Sequence, residues 1–141
     1  MSRTTYTKRL SIVLVVLALS GCALYDALMM TNYDPNEYLL ITQIRVDAIQ
    51  YKKQCNNHLF AAANAVNISN KTELFEKYSE QIPDNKNGIK ASQSLNEIAQ
   101  GLATAYIDPK GEPSAVFCRL KYSSIENAAY VIQHVVGNRP R

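Results

Sequence analysis

Beyond residue 34 the apolar positions recur at helical spacing, and no stretch alternates with period two for long enough to argue a strand. The first long element opens at Asp34-Pro35-Asn36-Glu37. Asp34 suits an N-cap, Pro35 the first helical position, and Glu37 completes a capping box. Ile41, Ile44, Ala48, Tyr51 and Cys55 then follow a 3-4-3-4 spacing, the narrow seam of a coiled-coil-like packing face. The pattern continues less cleanly through Leu59, Ala62 and Val66, which predicts a helix over about 35–66, roughly 48 Å long.

Asn70-Lys71-Thr72-Glu73 repeats the capping-box logic and predicts a shorter helix carrying Leu74, Phe75 and Tyr78, stopped before Pro83. A third helix over about 89–107 places Leu95, Ile98, Ala99, Leu102 and Tyr106 on one side. The last, about 114–136, presents Phe117, Leu120, Ile125, Ala128, Ile132 and Val135, with Gly137 as C′ residue and Pro140 barring continuation. Turn formers at 83–88 and 108–113 separate these elements. The fold class this predicts is all-α, a small bundle of three to four helices.

The chain before residue 35 has a different character. Arg3, Lys8 and Arg9 precede an apolar run from Leu10 to Leu19. Ten residues make a helix of roughly 15 Å, half the hydrocarbon thickness, so this is a signal-peptide core and not a span. Leu19-Ser20-Gly21-Cys22 follows directly and resembles the bacterial lipobox. That motif implies cleavage before Cys22 and lipidation of its thiol and new amino group. Residue 23 is Ala, not the Asp associated with inner-membrane retention, so the expected destination is the outer membrane, facing the periplasm. At about 0.8 kcal/mol per buried methylene, two or three acyl chains anchor a protein almost irreversibly. The expected organisation is a signal peptide at 1–21, a lipid-anchored segment at 22–34 and a periplasmic helical domain at 35–141. Residues 23–30, apolar with a single charge, suit either the lipid interface or a return onto the helices.

Charge arithmetic agrees with this division. Of 141 residues, 15 are Lys or Arg and 12 Asp or Glu, a net charge of +3. Arg3, Lys8 and Arg9 supply the whole excess, so the exported part is balanced. Nucleic-acid binding, which needs a clustered basic face, has no electrostatic support there. In an oxidising periplasm the two remaining thiols, Cys55 and Cys118, are expected to pair and staple the first long helix to the start of the last.

Candidate chemistry is sparse. His58 and His134 lie 76 positions apart, neither in a ligand-spaced cluster, so no metal site and no cofactor are expected. Ser114, Ser123 and Ser124 lack a nucleophile-elbow context, and no phosphate-binding loop or dinucleotide fingerprint occurs. No catalytic residues are predicted and an enzyme is not expected. The Ile41–Ile44–Tyr51 seam suits a partner helix as readily as an internal one. The tail Gly137-Asn-Arg-Pro-Arg141 places Arg139 and Arg141 beyond the last helix, either as a solvated end or as a second partner contact opposite the anchor. A homo-oligomer is a further open alternative.

The lipobox ending at Cys22, Tyr33-Asp34-Pro35-Asn36-Glu37-Tyr38, Cys55, Phe117-Cys118-x-Leu120-Lys121, Ile125, Ile132-Gln133 and the Gly137–Arg141 tail together resemble the outer-membrane lipoprotein subunit of two-component phage spanins. The best-known short subunits of that family are proline-rich and much smaller, whereas this chain has five prolines, so the resemblance is to a larger, helical variety. It implies a mechanical role late in host lysis: the lipid-anchored subunit binds an inner-membrane, single-span helical partner, and the bridged complex disrupts the outer membrane. The alternative is a pilotin-like, envelope-assembly or exclusion lipoprotein that binds a partner protein at the outer membrane.

Overall fold

A computed structural model describes residues 31–108 and 111–141. The expected signal peptide, the expected lipidation site at Cys22 and most of the 22–34 segment lie outside the described residues. Four helices and no strand make up the rest: α1 (Pro35–Lys52), α2 (His58–Glu80), α3 (Lys86–Ile107) and α4 (Ala115–Gly137).

The sequence of cross-helix contacts fixes the topology. Going up α1, Tyr38 and Arg45 meet Gln133, Lys52 meets Glu126, and Cys55 bonds Cys118, so partner numbers fall as α1 numbers rise and α4 runs antiparallel. Asp47 with Lys71 and Tyr51 with Asn67 give the same sense for α1 and α2. Asn96 meets Thr72 and Tyr106 lies against His58, which sets α2 and α3 antiparallel. The result is an up-down-up-down bundle in which each helix packs on its chain neighbours and α4 closes the ring on α1. Ile41, Ile44, Ala48, Ala65, Ile68, Phe75, Leu95, Leu102, Tyr122 and Ile125 form its core.

Local chemistry explains the helix ends, including those that differ from expectation. Asp34 is extended and its carboxylate accepts from the Asn36 and Glu37 amides at 2.8 Å. The helix predicted over 35–66 is two helices. It stops at Lys52, a five-residue turn holds Cys55, and Asn57 caps α2 by accepting from the Phe60 amide at 3.2 Å. Cys55 is therefore in a turn, not in a helix. The start predicted at Asn70 is the interior of α2. Asn70 and Glu73 are exposed on its surface, and Thr72 between them is buried, with its hydroxyl 2.9 Å from the Ser69 carbonyl and 3.0 Å from Asn96 Oδ1. α3 begins at Lys86, three residues before the predicted start, and Gly137 is the last residue of α4 where a C′ position was expected. Ser114 caps α4 through the Phe117 amide.

The buried face of α4 is Cys118, Tyr122, Ile125, Ala129, Ile132 and Val136. Leu120 and Val135, expected inside, are exposed. Tyr122 is fully buried, edge-to-face with Tyr51, and its hydroxyl has no hydrogen-bond partner among the described residues. Burial pushes its pKa well above the ordinary value. Because the folded state keeps this proton when the unfolded chain loses it near pH 10, the associated stability is fully present below pH 10 and is lost as pH rises through the folded pKa. Tyr122→Phe is expected to leave stability at pH 7 unchanged or raise it by up to about 1 kcal/mol, since it removes an unsatisfied group. It should also flatten the loss of stability above pH 10. Urea melts at pH 7 and pH 11 check both; a loss of 2 kcal/mol at pH 7 would show that the hydroxyl is satisfied.

Candidate functional site

Described from one end to the other, the bundle has two distinct poles and, between them, a groove. At the first pole, where the described chain begins at Thr31, the helix ends are locked by a buried polar cluster. Glu37 of α1 is completely buried and pairs with Arg139, which follows α4 and is also buried. Asn85 donates from Nδ2 to Glu37 Oε1 at 3.1 Å and to the Ser79 carbonyl at 3.2 Å, and accepts from Arg139 Nη2 at 2.9 Å. All four helix ends meet here, because Ser79 closes α2 and Asn85 opens α3. Asn85 is the N-cap of α3 yet makes no side-chain cap bond, since its amide is spent on this cluster. Gly88 makes that arrangement fit: a Cβ there would lie 2.1 Å from Asn85 Oδ1. The same pole holds both chain ends, with the Tyr33 amide donating to the Pro140 carbonyl at 2.8 Å and Thr31 Oγ1 donating to the Pro83 carbonyl at 2.6 Å.

At the opposite pole Cys55 and Cys118 form the expected disulfide, joining the turn after α1 to the first turn of α4. Arg119 donates to Asn56 Oδ1 beside it. Around this pole large apolar side chains face outward: Leu59 and Phe60 at the start of α2 and Ile107 at the end of α3 are 81%, 60% and 72% exposed.

Between the poles, α1 and α4 flank a groove of about 340 Å³ lined by Tyr38, Arg45, Tyr130, Gln133, His134 and Asn138 among others. The Arg45 guanidinium lies 4.6 Å from the Tyr130 ring centre and donates from Nη1 to Gln133 Oε1. Gln133 donates in turn to Thr42 Oγ1 at 2.8 Å and to the Tyr38 hydroxyl at 3.4 Å. Neither a carboxylate nor a thiol nor an aliphatic hydroxyl lines the groove, which offers aromatic, guanidinium, imidazole and amide groups. Among the described residues no group of three or more His, Cys, Asp or Glu is placed to hold a metal ion, and no helix is long and apolar enough to cross a membrane.

Set against the residues singled out from sequence, this geometry makes several corrections. Ile41 and Ile44 lie inside the core, so the α1 seam receives α4 and its other neighbours in the bundle instead of a partner helix. Tyr51 is half-buried, and its hydroxyl accepts from Asn67 Nδ2 at 2.7 Å. Arg139 is no solvated tail residue or free contact; it is neutralised by Glu37 inside the protein. Arg141 is exposed and stacks over Tyr33 at 5.1 Å, at the pole where the described chain begins and not at the opposite one. The Glu37–Asn85–Arg139 cluster went unread because its members are 48 to 102 positions apart in the chain.

No protein-family model matches the chain, and no curated protein or solved structure is detectably similar to it.

Proposed function

We propose that the protein is the lipid-anchored outer-membrane subunit of a spanin-type complex, which bridges inner and outer membranes and disrupts the outer one during phage-induced host lysis. The observation that carries this reading is the double tie between the first and last helices. α1 leads back to the lipobox at Cys22 and is tied to α4 at both ends, by the Cys55–Cys118 disulfide at one and the Glu37–Arg139 pair at the other. A pull taken up at Phe60 reaches the acyl chains along the α1 backbone, and one taken up on α4 reaches them through the disulfide instead of through packing alone. The remote pole is also where Leu59, Phe60 and Ile107 are uncovered for an apolar partner surface.

Two measurements test the reading with the full chain in bacterial envelopes. Cys22→Ala should abolish outer-membrane fractionation, and unchanged attachment would remove the lipobox from the argument. Cross-linking followed by purification should recover a small single-span inner-membrane protein with the wild type, and at least tenfold less of it with Phe60→Glu. Recovery of a secretin instead would replace the reading with the pilotin-like one, and recovery of neither would overturn both.

A further inference from the structure

Along the contact between α1 and α4 one kind of pairing is set up twice and completed once. Lys52 of α1 meets Glu126 of α4 at 2.5 Å, a cation against a carboxylate. Seven residues back along α1 and seven residues on along α4, Arg45 meets Gln133. The antiparallel register is the same, about two turns away, but the partner is a neutral amide. Arg45 donates from Nη1 to Gln133 Oε1 at 2.9 Å, and no carboxylate among the described residues pairs with it. A guanidinium stays protonated in proteins, so this half-buried charge has no counter-charge among the described residues.

The surroundings of Arg45 hold it in place without neutralising it. The Tyr130 ring lies 4.6 Å from the guanidinium, and Gln133 is itself fixed by donating to Thr42 Oγ1 and the Tyr38 hydroxyl. Tyr38 fits against α4 because residue 137 is glycine; a Cβ there would come within 3.0 Å of the tyrosine ring. The Tyr38 hydroxyl accepts from Gln133, and its own proton has no acceptor among the described residues. The exposed His134 imidazole stacks on Tyr130 and lines the same groove, again with no hydrogen-bond partner among the described residues. The carbonyls of His134, Val135 and Val136, the negative end of α4, accept from Asn138 and Arg139, which blunts their repulsion of an anion. The groove is therefore a set of donors around one uncompensated positive charge. Arg45 Nε is enclosed, so a flat two-point grip along that edge of the guanidinium is closed to a carboxylate. An anion with oxygens in several directions takes single bonds from separated donors instead.

We propose that the groove between α1 and α4 binds a phosphate ester, with Arg45 as its counter-charge and Tyr38 and His134 as supporting donors. Two sources carry this chemistry, a phospholipid headgroup and a soluble phosphate ester. The proposal does not rest on the lysis reading, because it uses only described side chains of α1 and α4.

The test is a nuclear magnetic resonance titration of the full chain in a maltoside detergent, which brings no phosphate of its own. Glycerol 3-phosphate and glycerophosphoglycerol, the deacylated headgroup of phosphatidylglycerol, are the probes, with sodium acetate at equal ionic strength as control. Each probe should shift the Arg45, Tyr130 and His134 signals saturably, and acetate should not. Tighter binding of the diester assigns the site to a lipid headgroup, and tighter binding of the monoester to a soluble ester. Arg45→Gln should weaken binding about tenfold or more, and His134→Ala, at an exposed position, about fivefold. Gln133→Glu keeps every proposed donor and supplies the carboxylate that Lys52 already has in Glu126. It should therefore also weaken binding about tenfold or more while the melting temperature holds or rises. Shifts that acetate reproduces, a titration that does not saturate, or binding indifferent to Arg45→Gln and Gln133→Glu would each overturn the proposal.

Discussion

Replacing Cys55 and Cys118 together by Ala is expected to cost about 4 kcal/mol, the entropy released when a loop of this length is no longer closed in the unfolded chain. The two cysteines are 63 positions apart, more than half of the described bundle. For a domain of this size the loss corresponds to a fall in melting temperature of roughly 15–20 °C. Reduced wild-type protein should melt with the double variant, because it lacks the same cross-link while keeping both sulfurs in place. Both cysteines are buried, so dithiothreitol should act slowly on the native protein and quickly in moderate urea, once the turn between α1 and α2 opens. The measurement is a thermal melt of the three forms with a time course of thiol exposure. A drop of less than about 5 °C would show that the staple adds little to what the helices already hold. It would also weaken the mechanical reading, in which that bond carries load between α4 and α1.

How much of this was readable in the chain depends on the range of the interaction. The start of α1 was legible because its determinants are adjacent: Asp34 caps it, and the 3-4-3 spacing from Ile41 to Ala48 is its buried face. Even there the reading was right for a partly wrong reason, since Glu37 does not reach back to complete a capping box but turns inward to Arg139. The break after Lys52 was hidden because Leu59, Ala62 and Val66 continue the apolar spacing in the sequence, although Leu59 and Val66 are exposed and the buried face of α2 is Ala61, Ala65 and Ile68. The false start at Asn70 failed for the opposite reason. Asn70 and Glu73 have the chemistry and spacing of a capping box, but both stay exposed on the surface of α2, while Thr72 between them is drawn inward to Asn96 of α3, a partner no local pattern contains. In α4, apolar residues on two faces left periodicity unable to decide between Leu120 and Tyr122, and the bundle buries the tyrosine. The pairing of Cys55 with Cys118 was legible through composition and compartment, without any knowledge of the fold. The buried charge cluster was not legible at all, because a basic tail and an acidic first turn are each ordinary surface features until a closed ring of helices brings them together.

That cluster supports the last prediction. Arg139→Met removes the only cation paired with a carboxylate that has no access to solvent, and is expected to destabilise the protein by about 3–5 kcal/mol. Glu37→Met should cost a similar amount, because it leaves the guanidinium buried with Asn85 Oδ1 as its remaining side-chain acceptor. Making both changes should recover much of the loss, since two apolar chains of similar volume carry no desolvation penalty, and the cycle should show a coupling of at least 2 kcal/mol. Added salt should leave the coupling unchanged, which separates it from a surface ion pair such as Lys77 with Glu80. Gly88→Ala gives a check that touches neither charge. In a helix interior Ala is better than Gly by about 1 kcal/mol, so that change would ordinarily stabilise α3. Here the new methyl would strike the Asn85 amide and displace it from both Glu37 and Arg139, so the sign should reverse and the variant should be less stable than the wild type. Urea melts of the four variants settle the matter. Additive costs for Glu37 and Arg139, or a Gly88→Ala protein more stable than its parent, would mean that the pole at which the described chain begins is held by packing and not by this cluster.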